Sequence, residues 1–310
     1  MSTNKICMLI PYFGKFPKWF NLYLYSCSHV KNIDFYYFTD CDIPTKTYSN
    51  TIFKSMTFSE YCKLVSEKLN VDFHPKSPYL LCNIRPFLSE IHSDIVKNYI
   101  FWGYSDTDLV YGDMSFLLND YNLNKYDVIT THSERVAGHF TIIKVNSKYD
   151  KIGFKIKNWQ KKITSDTAGL DEGDFSVIIY PPFPFLGKMW KHIFSKFMPK
   201  NEMYYFYQKI HNFYKGKTLF LEGYTTPIPK KDDIWVYDLK DNKIKAPKRF
   251  YDKKFLNNKP LPYLHFLFFK KTPYLKTKYY WDNDFYQIPE NFDFEDANQI
   301  LISRNGIILK

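Results

Sequence analysis

The chain opens with two short apolar runs separated by a segment of helical spacing, and this order constrains the fold more than any other feature. Lys5–Tyr12 predicts a buried strand that ends in a loop containing proline and glycine. Trp19–Cys27 has apolar residues at helical spacing, and Ile33–Asp40 is a second apolar run. Strand, helix and strand at this spacing begin a parallel α/β sheet. The predicted fold class is therefore α/β.

The same pattern continues along the chain. Ile52–Met56 predicts a third strand, and Thr57 is the expected N-cap of a helix over Glu60–Leu69. A second helix is expected over Leu80–Ser93, entered or interrupted near Pro86. Three further strands are predicted, at Tyr99–Tyr104, Asp127–Thr131 and His139–Lys144.

Length and composition indicate a folded protein with a large core. The chain has 310 residues, 45% of them hydrophobic, which excludes wholesale disorder and corresponds to about two average domains. The composition changes near residue 180, where a basic and aromatic stretch begins. We therefore predict a nucleotide-binding core at 1–178 and an aromatic, basic C-terminal part at 179–310.

Charge and cysteine usage narrow the class of protein. The net charge of +11 should attract polyanions, namely nucleic acid, anionic lipid or a diphosphate substrate, without choosing among them. Five cysteines without a CxxC pair argue against a disulfide framework or a zinc site and predict a reducing cytosol. Because no segment approaches a transmembrane span, we expect a cytoplasmic protein, at most peripheral on the membrane.

The motif Asp106-Thr107-Asp108 follows the most apolar predicted strand. Ligands of open α/β sheets bind at the carboxyl ends of strands, and two carboxylates one residue apart can share one Mg²⁺ or Mn²⁺. Such a cation would neutralise a diphosphate. A solvated turn is the alternative. An aspartyl-phosphate phosphatase motif is a weaker one, because that motif normally lies on the first strand.

Six sequence blocks follow one another along the chain: Lys5–Phe20, Phe38–Cys41, Ser77–Cys82, Phe101–Asp113, Tyr126–Thr131 and Gly138–Phe140. Together they resemble a family of bacterial GT-A glycosyltransferases that are encoded with capsule, O-antigen or lipooligosaccharide genes. The resemblance covers about the first 175 residues well, and it implies a Rossmann-like GT-A fold. It also implies metal-dependent transfer of a sugar to a surface glycan from a nucleotide-sugar donor, namely a UDP-sugar.

The resemblance assigns roles to residues at the ends of the first strands. The loop that closes on the base and ribose consists of Pro11, Tyr12, Phe13 and Gly14. Thr39 and Asp40 would form hydrogen bonds with the base or ribose. Asp106 would contact the ribose and the cation, and Asp108 would ligate the cation directly.

Four further positions, Asn83, Arg85, His265 and Lys270, are expected to take part in binding the donor or the cation. The family usually has an aspartate where this chain has Asn83, so any role of that position that needs a charge is in doubt. Arg85 is expected to pair with the diphosphate or with a motif aspartate. His265 resembles the late histidine that completes the cation shell, and Lys270 would meet the diphosphate.

The resemblance also places three residues near the sugars. His139 would lie beside the acceptor or the donor sugar, although an ordinary core histidine is the alternative. Asp171 and Glu172 resemble a later acidic pair, of which one member binds the transferred sugar or takes a proton from the acceptor hydroxyl. The sequence does not rank the two acids, and a solvated acidic loop stays open.

The segment 185–198 has apolar residues at helical spacing with lysines between them. This is typical of a basic amphipathic helix that lies on an anionic membrane and meets a lipid-linked acceptor. Packing of its apolar face within the protein is equally consistent with the spacing. Nucleic-acid binding is an alternative function, but no recognised motif supports it and the lysines are dispersed, so we expect no nucleic-acid partner.

Overall fold

The computed structural model describes residues 5–131, 135–179, 218–220, 225–251, 261–270, 280–281 and 284–310. The predicted amphipathic segment 185–198 lies outside these ranges. A seven-stranded sheet in the order β3-β2-β1-β4-β7-β6-β8 forms the centre of the molecule. Its strands are β1 (Ile6–Pro11), β2 (Ile33–Thr39), β3 (Thr51–Ser55), β4 (Phe101–Ser105), β6 (Val128–Thr130), β7 (Phe140–Lys144) and β8 (Thr218–Phe220).

The central sheet is mostly parallel, as predicted. β1 pairs in parallel with β2 and β4, β2 with β3, and β6 with β8. Only β7 runs antiparallel to its neighbours β4 and β6. The apolar runs that predicted β1, β2 and β4 are almost wholly buried, because helices or loops cover both faces of the sheet.

Short helices connect and flank these strands. Thr57 is an N-cap, as predicted, and it forms a capping box, since its hydroxyl accepts the N–H of Glu60 and the Glu60 carboxylate accepts the N–H of Thr57. The α-helices are α1 (Phe20–Ser28), α2 (Phe58–Leu69), α3 (Leu88–Ile91), α4 (Ser93–Val96), α5 (Asp120–Lys125), α6 (Trp159–Ile163), α7 (Asp174–Ile179) and α8 (Lys248–Tyr251). Two 3-10 helices lie at Ile152–Lys155 and Phe294–Asp296.

The helix predicted over Leu80–Ser93 has a different form. Residues Pro78–Phe87 are a 3-10 helix, and α3 and α4 follow it. Pro86 has no N–H to donate, so a regular α-helical ladder cannot pass through it. The consequence is a tight, irregular segment that carries Asn83 and Arg85 towards the sheet.

A strand pair that the sequence analysis did not predict joins distant parts of the chain. β5 (Leu109–Tyr111) follows the Asp106–Asp108 motif and pairs antiparallel with β11 (Tyr263–His265). The later part of the chain forms a second sheet, of four strands in the order β10-β9-β12-β13. Its strands are β9 (Ile234–Asp238), β10 (Lys243–Lys245), β12 (Gln299–Ser303) and β13 (Gly306–Leu309).

Residues from both predicted parts share one hydrophobic cluster. Trp235, Tyr263 and Trp281 belong to the same cluster as α1 and the α1-facing side chains of β1. The predicted division at residue 178 stays a prediction, as does the GT-A form of the fold. In the described ranges, no helix has the length and apolarity that crossing a bilayer would require.

Candidate active site

A cleft of about 960 Å³ lies at the carboxyl ends of β1 and β4. The chain leaves β1 towards β2 on one side, whereas β4 lies on the other side, so the strand order reverses between β1 and β4. Ligands of open α/β sheets bind in the crevice at such a point. Pro11, Tyr12 and Phe13 line the cleft from the end of β1, and Asp106 and Asp108 line it from the end of β4.

Three side chains in this cleft form a cluster that could hold a metal ion. The ligand atoms of Asp106, Asp108 and His265 lie within 4.8 Å of one another. The histidine arrives from far along the chain because β11 pairs with β5, which sets His265 opposite Leu109. Nε2 of His265 lies 3.3 Å from Oδ2 of Asp108.

The donor set fits a divalent cation. Two carboxylates and one imidazole suit Mn²⁺, and the carboxylates also suit Mg²⁺. Oδ1 of Asp108 is buried and has no hydrogen-bond partner among the described residues. A buried carboxylate oxygen without a partner is costly, so this atom is available to ligate a cation.

Basic side chains keep Asp108 ionised. Nζ of Lys270 lies 2.6 Å from Oδ2 of Asp108. Burial disfavours the charge of Asp108, but Lys270 and His265 outweigh it and hold the pKa of this carboxyl well below its usual range. Asp108 therefore offers a full negative charge to a cation at neutral pH.

Three contacts hold His265 in place. Its Nδ1 lies 3.1 Å from the hydroxyl oxygen of Thr226, and its backbone N–H donates to the carbonyl oxygen of Thr225 at 2.7 Å. The ring stacks on His139 with centroids 4.2 Å apart. With Nδ1 engaged by Thr226, Nε2 faces Asp108. Metal-binding histidines are commonly oriented in this way.

Sequence reasoning missed Thr226, because its position next to His265 depends on the unpredicted pairing of β5 with β11. His139 was predicted and lines the cleft, but it is 4% exposed. Its Nε2 lies 2.9 Å from the Tyr263 hydroxyl, which in turn donates to Oγ1 of Thr131. The structure thus shows His139 packed against His265, and its contact with a sugar stays a prediction.

Arg85 links the metal motif to the acidic pair. Its Nη2 donates to Oδ1 of Asp106, and its Nη1 donates to Oδ2 of Asp171 at 2.7 Å. The guanidinium also lies over the ring of Tyr104, 5.6 Å from the centroid. Burial opposes the charge of Arg85, but the two carboxylates outweigh it and raise its pKa.

The two carboxyls that share Arg85 are themselves destabilised as anions. Burial raises the pKa of Asp171 to about 6, although Arg85 acts in the opposite direction. Burial also raises the pKa of Asp106, again partly offset by Arg85. One guanidinium therefore serves a buried acid, Asp171, and a partly buried one, Asp106.

Asn83 lies behind the cleft and not among its lining residues. Its Nδ2 donates to the carbonyl oxygen of Thr167 at 2.8 Å, and its Oδ1 accepts the N–H groups of Gly169 and Leu170, both at 3.1 Å. A carboxylate at this position could accept the bonds from Gly169 and Leu170, but it could not donate a bond to Thr167. The amide at this position therefore holds the loop that leads to Asp171.

The remaining predicted nucleotide contacts lie beside the loop at the end of β1. Oδ1 of Asp40 accepts the N–H of Gly14 at 2.7 Å, and Oγ1 of Thr39 accepts the N–H of Cys41 at 3.0 Å. Gly14 has φ of +105°, which favours glycine. Gly14, Thr39 and Asp40 do not line the cleft, but Asp40 holds the loop that does through its bond to Gly14.

Comparison with known families identifies the chain as a member of DUF6625, a family of unknown function, with residues 8–296 matched. Among solved structures, the glycosyltransferase GlyE of Streptococcus pneumoniae TIGR4 matches at 13% identity with a TM-score of 0.31. That match covers 71% of this chain and 45% of GlyE.

The apo form of GlyE matches at 14% identity with a TM-score of 0.33, over 64% of this chain and 52% of the other. The chain thus spans about half the length of these structures. A search among curated proteins finds no match.

Proposed function

We propose that this protein is a metal-dependent glycosyltransferase. It transfers a sugar from a nucleotide-sugar donor, namely a UDP-sugar, to a bacterial surface glycan. The observation that carries the proposal is the cluster of Asp106, Asp108 and His265 in the crevice between β1 and β4. The buried, unpartnered oxygen of Asp108 supports a cation there.

The chain's own residues supply the rest of a diphosphate site. Pro11, Tyr12 and Phe13 give the cleft an apolar and aromatic wall on which a base can pack. Lys270 stands beside Asp108, where its positive charge can face a phosphate group. A volume of about 960 Å³ is at the upper end of ordinary ligand pockets, which suits a nucleotide-sugar.

Catalysis in such a site comes mainly from positioning and electrostatics. A bound Mn²⁺ or Mg²⁺ supplies positive charge that offsets the charge of the departing diphosphate. Thr226 and His139 orient His265, and Lys270 keeps Asp108 ionised. Arg85 holds Asp106 in place from the opposite side.

The nature of the donor and the acceptor rests on the sequence resemblance to GT-A glycosyltransferases of surface-glycan gene clusters. A lipid-linked acceptor and a peripheral position on the cytoplasmic face of the membrane are proposed from the basic segment 185–198. Within the described ranges we find no feature that favours a nucleic-acid-binding protein or a phosphatase.

A nucleotide panel tests the proposal. We expect UDP or a UDP-sugar to raise the melting temperature of the wild-type protein only when Mn²⁺ or Mg²⁺ is present, because the diphosphate and the cation bind together. The same UDP-sugar should release UDP slowly in the presence of enzyme, with water as acceptor. If every nucleotide and nucleotide-sugar leaves the melting temperature unchanged, with or without the cation, the proposal is wrong.

A further inference from the structure

The adjacent acids Asp171 and Glu172 both line the cleft, but their surroundings differ. The side chain of Asp171 is 4% exposed, whereas that of Glu172 is 33% exposed. Both oxygens of Asp171 are engaged within the protein. Oδ2 accepts from Arg85 at 2.7 Å, and Oδ1 accepts the backbone N–H of Glu172 at 3.0 Å.

The backbone of Glu172 is held in place, while its carboxylate can still accept further hydrogen bonds. Its backbone carbonyl accepts from the hydroxyl of Ser176, which also accepts the N–H of Val136 at 2.8 Å. Its Oε1 accepts the N–H of Gly138 at 3.1 Å, and its Oε2 lies 3.4 Å from Nη1 of Arg135. Because an ionised carboxylate accepts about four hydrogen bonds, this half-exposed group can accept more from a ligand.

The two acids are also connected to the metal motif in different ways. Asp171 reaches Asp106 through Arg85, which contacts both. A Cβ built on Gly138 would lie 2.9 Å from both Nη1 of Arg85 and Oε1 of Glu172. The carboxylate of Glu172 and the guanidinium of Arg85 therefore both lie next to Gly138, and both residues line the cleft.

We propose, on the basis of the glycosyltransferase function above, that these acids have separate roles. Glu172 accepts a hydrogen bond from a hydroxyl group of the donor's sugar. Asp171 is a positioning residue that holds Arg85 against Asp106 and does not contact the sugar. Sugar hydroxyls are donors, and a partly exposed carboxylate that only accepts is the matching group on the protein.

Calorimetric titration with UDP and with the tightest-binding UDP-sugar of a panel, both with Mn²⁺, separates the two roles. For Glu172→Ala we expect UDP to bind within twofold of wild type and the UDP-sugar to bind at least about tenfold more weakly, as loss of a charge-assisted hydrogen bond predicts. For Asp171→Asn we expect both ligands to bind about tenfold more weakly, because a neutral amide holds Arg85 against Asp106 less strongly than the carboxylate does.

Two further variants keep the test decisive. Asp174→Asn removes an exposed acid three residues away, paired with Lys162, and should bind both ligands like wild type. If Asp171→Asn fails to fold, Arg85→Lys replaces it. A lysine keeps the charge but cannot bridge both acids, so it should also weaken both ligands.

The outcomes that would overturn this inference differ from those that would overturn the proposed function. The inference is wrong if Glu172→Ala binds the UDP-sugar like wild type, if wild type binds UDP and the UDP-sugar equally well, or if Asp171→Asn weakens only the UDP-sugar. In each of these cases UDP still binds with Mn²⁺, and the proposed function survives. Failure of wild type to bind UDP overturns both.

Discussion

Two corners of the same cleft treat buried aspartates in opposite ways. In the cation corner, formed by Asp108, His265 and Lys270, two basic side chains face one acid and the pKa of Asp108 is lowered. The acid corner is formed by Arg85, Asp171 and Glu172. There the guanidinium of Arg85 is shared between Asp171 and Asp106, and the pKa of Asp171 is raised to about 6.

Local charge balance, and not residue type, therefore sets what each aspartate can do. Burial raises the cost of a negative charge in both corners. The cation corner overcomes that cost and presents a permanent anion. The acid corner overcomes that cost only in part, so Asp171 gains or loses its negative charge at a mildly acidic pH.

The largest expected effect belongs to Asp108→Ala. This variant removes the anion of the cation corner and the unpartnered oxygen, so we expect the Mn²⁺-dependent rise in melting temperature with UDP to vanish. Asp113→Asn is the matched control, because Asp113 lies five residues later and does not line the cleft. A variant without Asp108 that still needs Mn²⁺ to bind UDP would refute the assignment of the cation corner.

The second prediction concerns the acid corner and pH. The pKa of Asp171 is about 6 in the folded protein, compared with about 3.9 in an unfolded chain. Between these values the unfolded chain has released its proton while the folded protein retains it, so wild type loses stability as pH rises. Relative to Asp171→Asn, the loss should reach about 3 kcal/mol at most between pH 4 and pH 7.

Urea unfolding at several pH values measures this loss, with Asp174→Asn as an exposed-acid control that should follow the wild-type curve. Parallel curves for wild type and Asp171→Asn would show that the acid corner does not carry a raised pKa.

The third prediction concerns the orientation of His265. Thr226→Val removes the hydroxyl next to Nδ1 while keeping the side-chain shape, and losses of this kind typically weaken metal binding about tenfold or more. Titration of Mn²⁺ in the presence of UDP measures the change. Thr225→Val is the control, since Thr225 contacts His265 through its backbone carbonyl. Equal Mn²⁺ affinity in both variants would rule out a role for the Thr226 hydroxyl.

The smallest effect is expected for Gly138→Ala. The added methyl group would meet Arg85 and Glu172 at 2.9 Å, and the side-chain ends must move apart. We expect a loss of about 1 kcal/mol in stability, at the low end of the cost of overpacking. Affinity for a UDP-sugar should fall more than affinity for UDP. An unchanged melting temperature and unchanged affinities would show that this contact is loose.

Six of the seven strands of the central sheet were predicted, because most of them are continuous buried runs of apolar residues. The strand β8 was not predicted, since it has only three residues and lies in the C-terminal part of the chain. The Asp106–Asp108 motif at a strand end and the N-cap at Thr57 were also predicted. The same local signals are weak for β5, a three-residue strand whose partner β11 lies about 150 residues later. Its pairing depends on tertiary packing that no local pattern encodes.

The contacts of individual site residues were harder to predict for the same reason. The prediction that Arg85 pairs with a motif aspartate is matched by its contact with Asp106, but its second partner, Asp171, comes from a distant loop. Asn83 was predicted among the donor-binding residues, with any role that needs a charge in doubt, whereas three of its hydrogen bonds hold that loop. Such roles depend on which loops meet, and sequence spacing does not fix this.

The most direct test of the proposed cation site is a crystal structure of the protein grown with Mn²⁺ and UDP, with anomalous scattering used to locate the metal. We expect one Mn²⁺ in contact with carboxylate oxygens of Asp106 and Asp108 and with Nε2 of His265, and the diphosphate of UDP beside it. A manganese peak elsewhere, or UDP bound in this cleft without any metal at these three residues, would contradict it.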